Sequence, residues 1–132
     1  MNRKGFTLVE IMIVVAIIAL LAAIAIPNLL RARVNANQTN AQATLRTIST
    51  ASESFAAASN GDYPANEAAL TGAVPPYLNR AYDGQSLQGY NFACVWGTAG
   101  YTCTATPMTT DVTGTRLYTI TTGGVLTDVD AP

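Results

Sequence analysis

The sequence predicts an α+β protein in which a long N-terminal helix packs on a small four-stranded antiparallel sheet. Residues 11–26 contain no polar side chain, and residues 28–60 contain neither proline nor glycine, so one continuous helix is expected across both stretches. Short strand-like runs separated by glycine-containing turns follow from residue 88 onward. A chain that places its helix and its strands in separate stretches is typical of the α+β class.

The apolar stretch at the N-terminus has the length of a membrane span. Residues 6–26 would form a helix of about 31 Å, which matches the hydrocarbon core of a bilayer. Arg3 and Lys4 precede it, so the positive-inside rule predicts a cytoplasmic N-terminus and an exported remainder. A secretory signal peptide cut after Ala25 and a plain membrane anchor both fit this pattern, but neither explains the acid Glu10 near the start of the span.

A specific motif accounts for that acid. Residues 4–10 read KGFTLVE, and the unbroken apolar run that follows ends in IPN at residues 26–28. This pattern closely resembles the class III signal of type IV pilins and type II secretion pseudopilins. The resemblance implies that a prepilin peptidase cuts between Gly5 and Phe6 and methylates the new amine of Phe6. Residues 1–5 would be the leader, and residues 6–27 would stay as the membrane anchor and later the filament core.

The resemblance also implies roles for Glu10 and Pro27. The Glu10 carboxylate is expected to neutralise the Phe6 amine of a neighbouring subunit during docking. An unpaired charge in a low-dielectric core is costly, so this pair would penalise wrong registers. Pro27 removes one helical hydrogen bond, which predicts either a kink or a segment that loses helicity inside a filament. Residues 11–26 lack the glycine that many relatives carry there, and their alanines favour the helix.

Residues 28–60 are predicted to continue the helix in amphipathic form and to stop at Asn60-Gly61. One stripe of this helix is expected to pack on the sheet and consists of Leu30, Val34, Ala41, Leu45, Ile48, Ser52 and Phe55. Residues 61–87 lack periodicity and are predicted to form a long loop with a helical turn near Glu67 to Leu70. The loop would connect the helix to the sheet.

Residues 88–132 are predicted to hold the sheet and a C-terminal loop. Runs 88–96 and 100–106 form one expected hairpin around Gly97 to Gly100, and runs 116–121 and 125–129 form another around Thr122-Gly123-Gly124. The candidate core or interface residues of these strands are Phe92, Trp96, Leu117 and Ile120.

Cys94 and Cys103 have eight residues between them. If this part of the chain lies outside the cytoplasm, a disulfide is expected to close the short loop and to stabilise the fold by about 2–3 kcal/mol. Two free thiols remain the alternative. Asn37-Gln38-Thr39 matches the N-glycosylation triplet, which we interpret as a chance match within a helix.

The composition predicts neither catalysis nor nucleic-acid binding. The chain has no histidine, and its net charge of −1 comes from scattered acids and bases without a basic run. No nucleophile elbow, phosphate loop or metal-spaced Cys/His cluster is present, so no enzyme, metal site or other cofactor is predicted. Asp111, Asp128 and Asp130 are interpreted as solvated acids rather than as ligands of a calcium ion.

The resemblance predicts a structural subunit of a type IV pilus. The precursor would lie in the inner membrane with its C-terminal domain in the periplasm, and the mature subunit would join an extracellular homopolymer. Its partners would be identical subunits, the prepilin peptidase, a membrane assembly platform and a cytoplasmic ATPase.

Two other functions stay open at this point. A major pseudopilin of a type II secretion system is favoured by the short domain and by Asp62-Tyr63-Pro64, whereas the cysteine pair and the missing calcium motif favour a pilin. A secreted or membrane-anchored binding domain is the alternative that involves no filament.

Overall fold

The computed structural model describes Met1 and residues 5–132, and Arg3 and Lys4 of the predicted leader lie outside the described residues. The elements are two helices and five strands: α1 Leu8–Ala58, α2 Glu67–Thr71, β1 Ser86–Leu87, β2 Tyr90–Gly97, β3 Gly100–Pro107, β4 Arg116–Thr121 and β5 Val125–Asp130. The predicted α+β class is confirmed. The chain divides into two compact units, Met1–Arg33 and Val34–Pro132, and we call the second unit the head domain.

Helix α1 begins at Leu8, two residues after the predicted start at Phe6. Its first part, within residues 8–33, exposes nearly every side chain and includes one stretch long and apolar enough to cross a membrane. The helix ends at Ala58, close to the predicted stop. Asn60 adopts a positive φ of 57°, and the Gly61 N–H donates to the Ala56 carbonyl at 2.8 Å. That bond from the second residue beyond the cap is the signature of a Schellman motif.

The sheet has five strands in the order β1-β2-β3-β4-β5, and every neighbouring pair is antiparallel. The prediction of four strands was therefore wrong by one. The additional strand, β1, has only two residues and is too short to show any periodicity. It is joined to β2 by Gln88 and Gly89, which have φ values of 49° and 81°. Positive φ at both central residues is typical of the tight hairpin turn called type I′.

The core of the head domain lies between one face of α1 and one face of the sheet. The helix contributes Ala41, Leu45 and Ile48, and the strands contribute Tyr90, Phe92, Tyr101, Cys103, Ala105, Tyr118 and Ile120. The helical stripe is thus confirmed in its middle, whereas Leu30 is exposed and Phe55 is half-buried.

Leu117 does not belong to this core, although it was named with Ile120 as a candidate. The two residues are three positions apart, and successive residues of a strand point to opposite faces. Tyr118 and Ile120 are buried against the helix, while Leu117 is only half-buried. The tyrosines, which the prediction left out, fill the space instead.

A second cluster lies under the loop between α1 and the sheet. Leu70 of α2 and Leu78 are buried against Ala51 of α1. The N–H groups of Tyr77 and Leu78 both donate to the Leu70 carbonyl, at 2.9 and 3.2 Å. The predicted turn near Glu67 to Leu70 is therefore a real helix, and it holds the following loop against α1.

Candidate assembly site

The residues on either side of the predicted cleavage point lie outside the helix. Gly5 and Phe6 precede α1, and the Phe6 side chain is exposed. Thr7 stands at the N-cap. Its backbone N–H and its hydroxyl donate to Oε2 of Glu10 at 2.7 and 2.9 Å, and the Glu10 N–H donates back to the Thr7 hydroxyl at 3.2 Å. This reciprocal arrangement is a capping box.

The capping box gives Glu10 a local role that was not predicted. The spacing was visible in the sequence, because Thr7-Leu8-Val9-Glu10 has the Thr-x-x-Glu pattern of such a cap. Only Oε2 takes part in these bonds, and Oε1 has no hydrogen-bond donor among the residues that the structure describes. The amine of Phe6 exists only after cleavage, so its predicted contact with Glu10 stays a prediction.

Pro27 lies inside α1, and the helix continues through it. Proline has no N–H, so the carbonyl of Ala23, four residues earlier, receives no intrahelical bond from it. The segment before Pro27 therefore has one helical hydrogen bond fewer than a regular helix. Its predicted loss of helicity stays a prediction.

The predicted disulfide between Cys94 and Cys103 is present. The two residues are directly paired across strands β2 and β3, with their Cα atoms 4.1 Å apart. That spacing is typical of a pair between which the strands exchange no hydrogen bonds. Cys103 is fully buried in the core and Cys94 packs against it, so the disulfide links β2 to β3 on the face of the sheet that α1 covers.

One carboxylate of α1 holds three other segments of the head domain. Glu53 accepts hydrogen bonds from the Tyr63 hydroxyl at 2.8 Å, the Tyr101 hydroxyl at 3.1 Å and the Gly123 N–H at 2.7 Å. The Tyr101 hydroxyl also pairs with the buried Ser49 hydroxyl at 2.7 Å. These partners belong to the loop after α1, to β3 and to the turn between β4 and β5. The sequence offered no local signal for this cluster.

Three tyrosines of the head domain have raised pKa values. Burial raises the pKa of Tyr101 to about 12, and the neighbouring Glu53 carboxylate adds to the effect. The hydrogen bond to Glu53 is the main cause that raises the pKa of Tyr63. Burial likewise raises the pKa of Tyr90, whose hydroxyl donates to the Arg116 carbonyl at 2.9 Å.

The side chains of the glycosylation triplet serve the fold. The Asn37 amide donates to the Thr113 carbonyl at 2.9 Å, and the Gln38 amide donates to the Thr115 hydroxyl at 2.7 Å. They fasten the loop between β3 and β4 to α1. Glycosylation at Asn37 would attach a bulky glycan to the half-buried nitrogen that makes the first of these bonds.

One of the acids near the C-terminus, Asp128, has a structural partner. Asp128 of β5 forms an ion pair with Arg116 of the adjacent strand β4, which raises the pKa of the guanidinium. Across residues 1 and 5–132, no group of three or more acids, cysteines or histidines is placed to hold a metal ion.

An apolar helix of membrane-spanning length that continues into a small disulfide-bonded α+β domain is the architecture of pilin-like proteins. Residues 1–26 match the family described as the prokaryotic N-terminal methylation motif. The processing signal and the fold therefore point to the same class.

Curated relatives come from two bacteria. The chain is 51% identical over 69 residues to the type IV wide pilus major component PilA4 of Thermus thermophilus, an alignment that covers 52% of each chain. It is 52% identical over 54 residues to the type IV major pilin protein PilA of Myxococcus xanthus, which covers 41% of this chain and 24% of the relative. With the narrow pilus component PilA5 of Thermus thermophilus it shares 45% identity over 51 residues, covering 39% of this chain and 44% of the relative.

The chain thus spans about half or less of the length of these relatives. No solved structure matches it significantly. The predicted resemblance to the type IV pilin family is confirmed by the methylation motif and by the named pilins. These findings do not favour the pseudopilin alternative.

Proposed function

We propose that this chain is a structural subunit of a type IV pilus filament and has no enzymatic activity. The observation that carries the proposal is the surface of α1 from Leu8 to Ile26, where large aliphatic side chains are exposed turn after turn. An apolar surface of this extent is unstable in water and must be covered by lipid or by other protein. In a filament subunit this apolar surface is covered first by the inner membrane and later by the helices of neighbouring subunits.

Processing at Gly5–Phe6 is supported by the local backbone. A peptide bond is cut readily where it is exposed and free of helical hydrogen bonds, and α1 begins only at Leu8. The prepilin peptidase would remove residues 1–5 on the cytoplasmic side and leave an amine on Phe6 that becomes methylated. The capping box does not include residues 1–5, so it would persist in the mature chain.

Glu10 has the capacity for a second role because the capping box engages only one of its two oxygens. Oε1 is available to the charged Phe6 amine of a neighbouring subunit. Inside a water-excluding bundle of helices, each of these charges would be costly alone and much less so when paired. The pair would therefore select the correct axial register of each incoming subunit.

The remaining parts of the proposal concern location and partners. The precursor would lie in the inner membrane with a cytoplasmic N-terminus and a periplasmic head domain. A membrane platform and a cytoplasmic ATPase would then move it into an extracellular homopolymer. Pro27 would be the point from which the preceding turns lose helicity when the helices pack.

The first test is the intact mass and N-terminal residue of the mature protein from its native host. An N-methylated Phe6 is expected. A chain that starts at Ile26 would instead indicate an ordinary secreted protein. A chain that keeps Met1 in a host with an active prepilin peptidase would indicate a plain membrane anchor.

A second test separates the two roles of Glu10. Glu10→Gln keeps an acceptor for the capping box but removes the charge, whereas Thr7→Ala removes the capping hydroxyl but keeps the charge. We expect Glu10→Gln to be processed but absent from sheared filaments, and Thr7→Ala to assemble with a helix start weakened by about 1 kcal/mol. Normal filaments from Glu10→Gln would show that the charge has no part in docking.

A further inference from the structure

A groove lies between α1 and the loop that follows α2. It is lined by Arg46, Thr47, Thr50, Ala51, Ser54 and Tyr77. One wall is the loop residue Tyr77, whose N–H donates to the Leu70 carbonyl at 2.9 Å and whose ring meets Phe55 edge-on with the centroids 5.6 Å apart. The wall is therefore held in place by the fold.

The groove has one charge and small polar flanks. The hydroxyls of Thr47, Thr50 and Ser54 donate to carbonyls of their own helix at 3.0, 2.9 and 2.7 Å, so their hydrogens are already used. The Arg46 guanidinium remains as the main donor. Within residues 1 and 5–132 only Arg116 and Asp128 form an ion pair, so no described carboxylate lies in ion-pair range of Arg46.

Several acids of the head domain are exposed. Among the described residues, Asp83 accepts a hydrogen bond from the Cys94 N–H, whereas three other exposed carboxylates have no such partner. Asp62 follows the end of α1, Asp111 lies in the loop between β3 and β4, and Asp130 ends β5. All three are exposed, and their carboxylates form neither an ion pair nor a hydrogen bond with a described residue. The head domain therefore has a positively charged groove at Arg46 and three exposed carboxylates elsewhere on its surface.

We propose that the groove around Arg46 receives one of these three carboxylates from a second copy of this chain. The proposal rests on the filament function proposed above, because copies in a helical polymer meet through two different surfaces. A guanidinium binds a carboxylate through two parallel hydrogen bonds, and the small flanking side chains allow a close approach. A neighbour that covered Arg46 without an acid would leave a desolvated charge, so the pair adds specificity to packing by the apolar helices.

The test is charge reversal in cells that assemble filaments from the wild-type chain. Arg46→Glu should be processed and accumulate in the membrane as the wild type does, while the yield of sheared filaments falls about tenfold or more. Arg80→Glu is the matched control, because Arg80 is an exposed arginine of the same domain that lies over the ring of Tyr82 outside the groove. It should leave the filament yield unchanged.

Compensating reversals identify the partner. Asp62→Arg, Asp111→Arg and Asp130→Arg are each combined with Arg46→Glu, and one of the three is expected to restore filaments. A second comparison removes one charge at a time from the wild-type chain. Replacing that same acid with asparagine should lower the filament yield as much as Arg46→Gln does. Asparagine is also tolerated at the positive φ of 64° that Asp111 adopts, so this second variant tests that position without added strain.

Two results would overturn the inference. One is a normal filament yield from Arg46→Glu, and the other is the failure of all three reversals, which is also the result expected if the groove holds a lipid phosphate or a free anion. Glu10→Ala in the same cells distinguishes this failure from failure of the filament proposal. If Glu10→Ala abolishes filaments and Arg46→Glu does not, the pilus function stands without the Arg46 contact.

Discussion

Glu53 shows how one side chain fixes several segments of the head domain at once. Its carboxylate is half-buried and accepts bonds from two phenols and one backbone N–H. Hydrogen bonds to a charged acceptor contribute more than neutral ones, and the donors lose their partner if the acceptor is removed. The residue was not predicted because an acid on an amphipathic helix is normally solvated, and only the tertiary fold brings its three donors together.

We expect Glu53→Ala to lower the free energy of unfolding by about 2–4 kcal/mol, because three donors lose their acceptor in a partly buried site. Glu53→Gln retains one acceptor oxygen and should cost less than half of that. Urea unfolding of the full-length chain in detergent, followed by near-ultraviolet circular dichroism of the aromatic residues, measures both. Equal effects of the two variants would show that the charge alone matters.

The shifted tyrosines predict that the head domain loses stability at alkaline pH. The pKa values of Tyr63, Tyr90 and Tyr101 are raised in the folded chain, so the unfolded chain releases their protons first. Their contribution is complete below the unfolded value of about 10 and falls as the pH rises toward 12, where Tyr101 itself ionises.

Unfolding free energies measured between about pH 9 and pH 12 should therefore decrease steadily for the wild type. Tyr101→Phe should flatten part of this decrease, while Tyr77→Phe, which removes an exposed phenol, serves as the control. A pH dependence of Tyr101→Phe identical to that of the wild type would contradict the role given to Tyr101.

At the scale of elements, the turns of the sheet were predictable. Its interior was predictable only in part, because Phe92 and Ile120 are buried as expected whereas the tyrosines were not predicted. The hairpin between Gly97 and Gly100 and the turn at Gly123-Gly124 appear where the glycines predicted them. Strand β1 was not predicted because two residues are too few to show a period. Leu117 was named with Ile120 as a core or interface candidate, although the two residues lie on opposite faces of the strand. The path of the loop between β3 and β4 depends on distant bonds from Asn37 and Gln38, which no local pattern reveals.

The disulfide should stabilise the β2–β3 hairpin mainly by restricting the unfolded chain. The loop that it closes is short, with a sequence separation of 9, so reduction or the double variant Cys94→Ala/Cys103→Ala should cost about 2–3 kcal/mol. Urea unfolding with and without reductant measures this cost. Quantitative thiol labelling of the native protein would show that the disulfide is absent.

At the scale of the whole molecule, one unit of the chain contains the buried core and the other exposes its apolar side chains. Every buried core residue lies at or beyond Ala41, whereas the large aliphatic side chains from Leu8 to Leu30 are exposed. The α+β class and the division of the helix into an apolar and an amphipathic half followed from the apolar run, the helical stripe and the glycine-containing turns. The tyrosine-rich core did not, because strand-forming aromatics fit either face of a sheet until the register is known.

A chain of residues 28–132 should therefore fold as a soluble domain with its disulfide intact. It retains every buried core residue and loses the exposed aliphatic side chains from Leu8 to Ile26. Size-exclusion chromatography and circular dichroism without detergent should show a monomer with helix and sheet content, whereas the full-length chain should require detergent. Aggregation of the shorter chain would show that the first unit is needed for folding.

The edges of the sheet affect how closely copies of the head domain can be crowded together. One edge is the two-residue strand β1, and the other is β5, which carries Asp128 and Asp130. A short edge and a charged edge both discourage strand pairing between molecules. Crowded copies would therefore not form intermolecular sheets. Side-chain contacts and the α1 helices would hold the copies together. A subunit held in this way can separate from its neighbours without any strand being unzipped, so release would not require unfolding.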